Sequence, residues 1–202
     1  FVLLSHIGKK NAPWRPRETK SITRDGNVWL MTLPPLKPGT EHSIIIHYHG
    51  KLREAPAPPW DGGWIWEKDA RGRPWMTVAC QGLGASVWYP CKDHQSDEPD
   101  SGASLNITAA DTLVAVGNGR LTKKQPNRNG TTTWRWEVKN PINNYKIVPY
   151  IGKYSGWKET YKGIRGALDC SYWVLDYNID KAKKQFGRDV KPMLSCFEEW
   201  FG

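Results

Sequence analysis

The sequence predicts a mainly β fold, an antiparallel β-sandwich or saddle-like domain followed by one C-terminal helical segment. Short stretches of alternating apolar and polar residues follow one another from about residue 21 to about residue 175, with turn residues such as Asp25-Gly26 between them. Twelve of the 202 residues are Trp, whose rings favour strands and fill sheet cores. After Asn178 the apolar residues recur three and four positions apart, which is the spacing of a helix.

Strands are expected wherever an apolar run lies between turn signals. The turns that close hairpins are expected at 24–27, 69–72, 117–119 and 127–130. Residues 1–20 are polar and broken by Pro, so an irregular arm is expected there. The expected strands are 28–33, 42–49, 64–66, 75–79, 103–109, 112–116, 120–124, 131–138, 146–154 and 167–175.

The expected helix begins at Asn178, a residue type that caps helices well. Gly187 and Pro192 are expected to kink or split it, because Gly is flexible and Pro cannot donate a backbone hydrogen bond. Its apolar face has few obvious partners among the predicted strands. A terminal helix of this kind is typical of the start of another domain.

The bulk composition excludes several classes of protein. No stretch approaches the roughly 20 apolar residues that a transmembrane helix needs, so no membrane span is expected. A formal net charge of +9 is typical of proteins that bind nucleic acid or acidic lipid. The positive charge is spread along the chain, however, and residues 93–100 form an acidic loop. An ordinary basic surface, with no nucleic-acid partner, is therefore expected.

The sequence contains four cysteines and no Cys-x-x-Cys pair: Cys80, Cys91, Cys170 and Cys196. A structural zinc site built from them is not expected. A domain of this size does not need disulfides, so buried free thiols are expected. Cys80 and Cys91 would pair only if their strands brought them within reach.

No complete catalytic motif is present, since His-Glu-x-x-His, Gly-x-Ser-x-Gly and the phosphate-binding Gly-rich loops are all missing. His47 and His49 share one face of a predicted strand and are candidate metal ligands, with solvent-facing histidines as the alternative. The acidic loop offers either an oxygen-rich ion site or a solvated surface. Its ligands would be Asp93, His94, Asp97, Glu98 and Asp100.

One segment is much more specific than the rest of the sequence. Cys80-Gln81 precedes Pro90-Cys91-Lys92-Asp93, with glycines at 82 and 84 between them. This segment closely resembles the N-terminal domain of the zinc aminopeptidase family that includes aminopeptidase N and the leukotriene hydrolases. Residues 36–51, 114–121 and 141–154 resemble further strands of that domain, and the Trp-rich hairpin resembles a bacterial subgroup.

The resemblance implies three regions: an irregular arm at 1–20, the β-rich N-terminal domain at 21–177, and the first helix of a truncated catalytic domain at 178–202. The chain would then be a fragment, inactive alone and without a cofactor of its own. Zinc would belong to the parent enzyme. The partners would be a peptide substrate, through the full-length enzyme, and the chain's own catalytic domain. Compartment and oligomeric state stay open.

The resemblance also implies a role for Gln81. In the family, a Gln or Glu of the N-terminal domain helps to hold the free α-ammonium of the substrate, and Gln81 matches that position; alternatively it satisfies strand backbone. Ala79 stands where the family often has a second Gln, and the loop after Asp93 is longer than in the family. The residues expected to be structural are Cys80, Gly82, Gly84, Pro90, Cys91 and Asp93, the last of which would fix the turn.

Two other classes of function fit parts of the sequence. A Trp-rich β-sandwich suits a carbohydrate-binding module, in which the flat rings of Trp60, Trp64 and Trp66 would form the platform. Basic and aromatic residues together also suit a binder of single-stranded nucleic acid. The resemblance favours the aminopeptidase domain over both.

Overall fold

The computed structural model describes residues 4–9, 17–18, 21–33 and 35–202, with side chains at 22–33 and 35–202. The chain divides into two compact units, residues 1–51 and residues 52–202. The architecture is mainly β, with antiparallel sheets and a helix at the C-terminal end, as the sequence predicts. No helix in the described part of the chain is long and apolar enough to cross a membrane.

In the first unit, the described residues form two small antiparallel sheets. Strand β1 pairs along its whole length with β5 and on its other side with β2, and β3 pairs with β4. The hairpin between β3 and β4 turns at Asp25-Gly26, where it was predicted. The strands are β1 (Leu4–Lys9), β2 (Arg17–Glu18), β3 (Ser21–Asp25), β4 (Val28–Thr32) and β5 (His42–His47).

The second unit contains nine strands and the helix. A four-stranded sheet has the order β6-β7-β12-β9, a three-stranded sheet has the order β10-β11-β8, and β13 pairs with β14. The elements are β6 (Gly63–Lys68), β7 (Pro74–Ala79), β8 (Ala103–Ala110), β9 (Val114–Val116), β10 (Arg120–Pro126), β11 (Thr131–Val138), β12 (Tyr150–Gly152), β13 (Tyr154–Gly163), β14 (Gly166–Leu175) and α1 (Ile179–Phe201).

Tryptophan side chains form much of the core of this unit. Trp64 of β6 and alternate residues Trp134 and Trp136 of β11 are buried around Ala115 of β9. Trp136 is 2% exposed, and its indole N–H donates to the Ala115 carbonyl at 2.9 Å. The strand positions of these rings account for part of the high Trp content, since large flat rings fill the space between sheets.

Helix α1 packs on the β13–β14 hairpin through aromatic rings, although the sequence showed few partners for it. The ring of Phe186 lies 5.8 Å from Trp157 and 5.5 Å from Tyr172. Near the helix end, the Glu198 carboxylate accepts hydrogen bonds from the Tyr161 hydroxyl at 2.6 Å and from a backbone N–H of the hairpin turn at 2.9 Å. These contacts join residues far apart in sequence, which a local pattern does not reveal.

The helix runs without interruption through Gly187 and Pro192, which were expected to kink or split it. Both residues lie on the exposed side of the helix. Phe186 before Pro192 and Glu198 after it hold both halves of the helix to the same hairpin. Tertiary packing therefore offsets the backbone hydrogen bond that proline cannot make.

Residues 117–119 connect two sheets instead of closing a hairpin, because β9 pairs with β12 and β10 with β11. The Asn118 amide donates to the Lys146 carbonyl at 2.8 Å and accepts from the Val148 N–H at 3.0 Å. Residues 146–149 were expected as strand, but Lys146 ends the 3-10 helix Asn144–Lys146 and residues 147–149 form a loop held by the Asn118 side chain. The turn at 127–130 does close a hairpin, as predicted.

Strands also lie where none was expected, including β1 and β2 in the predicted irregular arm and most of β13. Residues 4–9 of the predicted irregular arm form β1, because the ladder with β5 satisfies backbone groups that the side-chain pattern does not report. Apart from 17–18, the rest of that arm lies outside the described residues. Residues 155–163 extend β13, whose alternate residues are partly buried against its partner β14 and helix α1.

Candidate functional site

Gln81 is exposed on the turn that follows β7. We call residues 80–84 the Gln81 turn. It closes where the N–H groups of Leu83 and Gly84 donate to the Cys80 carbonyl at 3.3 and 2.8 Å. Gly82 has φ 73° and Gly84 has φ 75°, a conformation that favours glycine. The Gln81 side-chain amide makes no hydrogen bond within the part of the chain that the structure describes, so it is available to a ligand.

The carboxylate of Asp93 holds the backbone that follows this turn. Its Oδ1 accepts the Ala85 N–H at 3.1 Å, and its Oδ2 accepts the Ser86 hydroxyl. These bonds cap the short 3-10 helix Ala85–Val87, which begins after Gly84. A side chain at Gly84 would overlap the carboxylate. The absence of a side chain at Gly84 therefore leaves space for the Asp93 carboxylate close to Gln81.

Cys80 and Cys91 lie in the same segment as free, partly buried thiols. Burial, with a smaller contribution from the Asp93 charge, raises the pKa of each thiol to about 11. Both sulfurs are therefore protonated at neutral pH. Because the thiolate is the reactive nucleophile, a raised pKa makes both cysteines weakly nucleophilic in the folded chain.

The loop that follows Asp93 is anchored by Asn144, which is only 3% exposed. The Asn144 side-chain amide donates to the carbonyls of Lys92 at 2.7 Å and His94 at 3.3 Å, and its backbone N–H donates to the Asp97 carbonyl at 3.0 Å. The Tyr89 hydroxyl in turn donates to the Asn144 carbonyl at 3.0 Å, and burial raises the pKa of Tyr89. Asn144 thus holds this loop at Lys92, His94 and Asp97.

The acidic loop does not bring its oxygen ligands together. Lys92 forms an ion pair with Asp97 at 2.9 Å, and the His94 ring hydrogen-bonds to a neighbouring serine. Among the residues that the structure describes, no group of three or more His, Cys, Asp or Glu side chains could hold a metal ion. The described residues include His47, the last residue of β5, and His49, which lies beyond the end of the strand although it was expected within it. Neither proposed metal site therefore has its ligand set there.

The Pro-rich loop before β6 lies directly against the Gln81 turn. A Cβ built on Gly62 would lie 2.9 Å from the Gln81 carbonyl and 3.0 Å from the Leu83 Cβ, so glycine permits the close approach. Trp60, two residues earlier on the same loop, is 76% exposed. An exposed aromatic side chain therefore belongs to the loop that borders Gln81.

The three Trp residues considered for a sugar platform do not share a surface. Trp64 is 8% exposed and packs in the core, where its ring lies 6.2 Å from Trp88. The ring of Trp66 is 54% exposed and is tilted 46° from that of Trp64. A flat platform needs exposed, coplanar rings, and burial removes Trp64 from it.

Sequence reasoning did not identify two residues that shape this site. Gly62 belongs to a Gly-Gly pair before the Trp-rich strand, and that pair was a detectable signal for close backbone approach. Asn144 carries no comparable signal, because an Asn that anchors a loop and an Asn in an ordinary turn look alike in a sequence.

The fold resembles that of solved zinc metallopeptidases of the M1 type. A mutant from Deinococcus radiodurans bound to a Tyr-Ser-Ala substrate matches with a TM-score of 0.71 and 19% identity over 100% of this chain and 45% of the other. A two-domain M1 mutant bound to L-arginine matches with a TM-score of 0.63 and 20% identity over 85% of this chain and 39% of the other. No protein-family model and no curated protein sequence matches.

At about 20% identity the likeness establishes the fold, which is the fold of a part of M1 zinc metallopeptidases. The chain spans less than half the length of each of these proteins. The fold is the one that the Cys80-Gln81 and Pro90-Cys91 motifs had indicated. The roles of individual residues in that segment stay predictions.

Proposed function

We propose that this chain is the non-catalytic β domain of a zinc-dependent aminopeptidase, and that it covers one side of the active site. In this proposal Gln81 helps to bind the α-ammonium group of the peptide substrate. The observation that carries the proposal is the exposed Gln81 amide, which has no partner among the described residues, on a fold that resembles part of M1 zinc metallopeptidases.

The chemistry of Gln81 suits an ammonium ligand. Its amide oxygen accepts hydrogen bonds and carries no charge, so it can receive one N–H of the α-ammonium without a proton transfer. A hydrogen bond to a charged group contributes about 1.5–3 kcal/mol. Losing it corresponds to roughly a tenfold to hundredfold change in binding or in kcat/KM.

The surroundings of Gln81 favour a fixed position for its backbone. The Cys80 carbonyl closes the turn, Asp93 caps the next residues, and Gly62 lets the neighbouring loop pack against the Gln81 backbone. A ligand residue on an anchored turn loses little backbone entropy when the substrate binds, so the ordering cost is confined to its side chain. This rigidity supports a positioning role at the substrate amine.

Zinc does not fit the described residues of this chain. They offer no group of three or more His, Cys, Asp or Glu side chains that could hold a metal ion. The sequence also lacks His-Glu-x-x-His. The proposal therefore assigns zinc to a catalytic domain outside these 202 residues, and no step involving zinc is assigned to this chain.

The partners in this proposal are a peptide substrate and that catalytic domain. Exposed apolar rings at the end of α1 support a contact with another folded surface, since Trp200 is 76% and Phe201 is 82% exposed. The boundaries after residues 20 and 177, the fragment character of the chain and a bacterial source belong to the same proposal.

The test compares the 202-residue chain with the complete product of its gene, purified identically and assayed for zinc content and for hydrolysis of aminoacyl p-nitroanilides. We expect about one zinc per molecule and activity in the complete product, and neither in the chain alone. Stoichiometric zinc or hydrolysis in the chain alone would overturn the proposal. A complete product without aminopeptidase activity would overturn it as well.

A further inference from the structure

Strand β8 is an edge strand with a regular and uncharged sequence. It lies at one end of the order β10-β11-β8 and pairs with β11 through eight consecutive residue pairs without a bulge. Its residues are Ala-Ser-Leu-Asn-Ile-Thr-Ala-Ala. Alternate side chains are exposed, so one face of the strand meets solvent. Long, flat and uncharged edges are rare in proteins because they pair with other strands.

The backbone register shows which groups of β8 face outward. The Asp111 N–H donates to the Gly130 carbonyl at 3.1 Å, and these two residues continue the β8–β11 pairing by one step. Hydrogen-bonded pairs alternate along an antiparallel ladder, so residues 109, 107, 105 and 103 also bond to β11. The N–H and C=O groups of Ser104, Asn106 and Thr108 therefore point away from β11.

These outward groups have no backbone partner in the part of the chain that the structure describes. Past the end of the strand, the Ala110 carbonyl is already occupied, because it accepts the Leu113 N–H at 2.9 Å. The open edge is thus limited to the segment centred on Asn106. We call Ser104, Asn106 and Thr108 the open edge.

The opposite edge of the same sheet is protected. Strand β10 carries Arg120, Lys123 and Lys124, ends at Pro126 and has a register shift between Leu121 and Lys123. Charge, proline and irregular register all oppose the addition of a further strand. The β10 edge of this three-stranded sheet is therefore protected against the addition of another strand, and we call it the guarded edge. The β8 edge has no such protection.

We infer that the open edge is a homodimer interface, in which β8 pairs antiparallel with β8 of a second copy about a two-fold axis at Asn106. In this register Asn106 faces its own counterpart and Ser104 faces Thr108 of the other copy. Each of these facing pairs exchanges two backbone hydrogen bonds, because all three residues point their backbone groups outward. The two sheets then form one continuous sheet across the axis.

The side chains fit this self-pairing. An antiparallel pair places directly opposite residues on the same face. Asn106, Ser104 and Thr108 are exposed and uncharged, so no like charges meet on the outer face. On the inner face Leu105 meets Ile107 of the other copy, and both are apolar residues packed against the core. If the two-fold axis passed through Ile107 instead, Ser104 would face Ala110, whose carbonyl already accepts the Leu113 N–H. Fewer backbone hydrogen bonds would then form between the two copies.

A second copy is favoured over a different protein because the open edge complements itself in hydrogen bonding, in charge and in facing side chains. A single strand edge buries less than the roughly 1,200–2,000 Å² of a standard interface. We therefore expect a dimer whose population depends on concentration in the micromolar range or above.

Sedimentation of the complete gene product over a wide concentration range tests the inference. The variant Asn106→Glu places two carboxylates opposite each other at the axis, while within one molecule residue 106 faces Arg135 of β11. We expect dimer formation in the wild type and at least a tenfold weaker dimer in the variant. The matched control Gln125→Glu makes the same change on the guarded strand β10 and should dimerise like the wild type.

A monomer at every concentration would overturn the inference, and so would a dimer that Asn106→Glu leaves unchanged. Residue-level amide exchange of the wild type provides a measurement that needs no variant. Exchange at Ser104, Asn106 and Thr108 should slow as protein concentration rises, while exchange at Lys124 of the guarded edge stays constant. Concentration-independent exchange at the open edge would contradict the dimer.

Discussion

The carboxylate of Asp93 lies in the space that a side chain at Gly84 would need. Gly84 has φ 75° and ψ −173°, and the backbone N–H of the next residue, Ala85, donates to that carboxylate. The missing side chain at Gly84 leaves room for the Asp93 carboxylate, and the carboxylate in turn holds the backbone that follows the Gln81 turn. The stability of the Gln81 turn depends on both residues.

Gly84→Ala should destabilise the chain by about 1–3 kcal/mol, because this backbone region is nearly exclusive to glycine and the new methyl group would meet the Asp93 carboxylate. Gly82→Ala is the matched control, since Gly82 also has a positive φ but no atom within 4 Å of a new Cβ. It should cost about 1 kcal/mol. Urea unfolding of the three proteins measures both losses. Equal losses would show that the contact with Asp93 is unimportant.

An ion pair links the β6–β7 hairpin to the start of α1. Arg73 donates to both oxygens of Asp176, at 2.7 and 2.5 Å, and also to Asp69 at 2.8 Å. The hydrogen bonds from Arg73 lower the pKa of Asp176 to about 2. For Asp69, burial acts to raise the pKa, but the side-chain and backbone hydrogen bonds from Arg73 outweigh it and lower the pKa.

The lowered pKa of Asp176 makes its contribution to stability dependent on pH. A free Asp has a pKa of about 3.9, so the contribution is complete above that pH and is lost as the pH falls towards about 2. The difference in unfolding free energy between wild type and Asp176→Asn should therefore be constant above about pH 5 and shrink between about pH 4 and pH 2. A pH-independent difference for Asp176→Asn would contradict the ion pair.

The four thiols should differ in reactivity. Cys196 is exposed, whereas burial raises the pKa of Cys80 and Cys91 to about 11. Near about pH 8, maleimide labelling followed by peptide mass spectrometry should find Cys196 modified first, and Cys80 and Cys91 modified only when urea unfolds the chain. Labelling of Cys80 or Cys91 as fast as Cys196 in the folded chain would refute this assignment.

Local turn chemistry made much of the fold predictable. The β6–β7 hairpin was expected from residues 69–72, and the Gly72 N–H does donate to the Asp69 carbonyl at 2.8 Å. The β10–β11 hairpin was likewise expected from 127–130. In both cases residues adjacent in sequence decide the structure, so a short pattern contains the information needed.

Long-range contacts were the part that the sequence did not reveal. The partners of Phe186 on helix α1 are Trp157 and Tyr172, which belong to strands, and α1 therefore continues through Pro192. At the candidate site, the Gln81 turn could be located from its motif, whereas the loop anchor at Asn144 depends on carbonyl groups about 50 residues away. Neither relationship has a local signature.

The central claim is that Gln81 binds the substrate amine, and steady-state kinetics of the complete gene product test it most directly. Gln81→Ala should lower kcat/KM for a free-amine peptide about tenfold to hundredfold with unchanged zinc content, and Gln81→Glu should retain activity because a carboxylate also accepts from an ammonium group. Gln95→Ala, in the exposed loop after Asp93, is the control and should behave like the wild type. Unchanged kcat/KM in Gln81→Ala, or equal losses in Gln81→Glu and Gln81→Ala, would contradict the account.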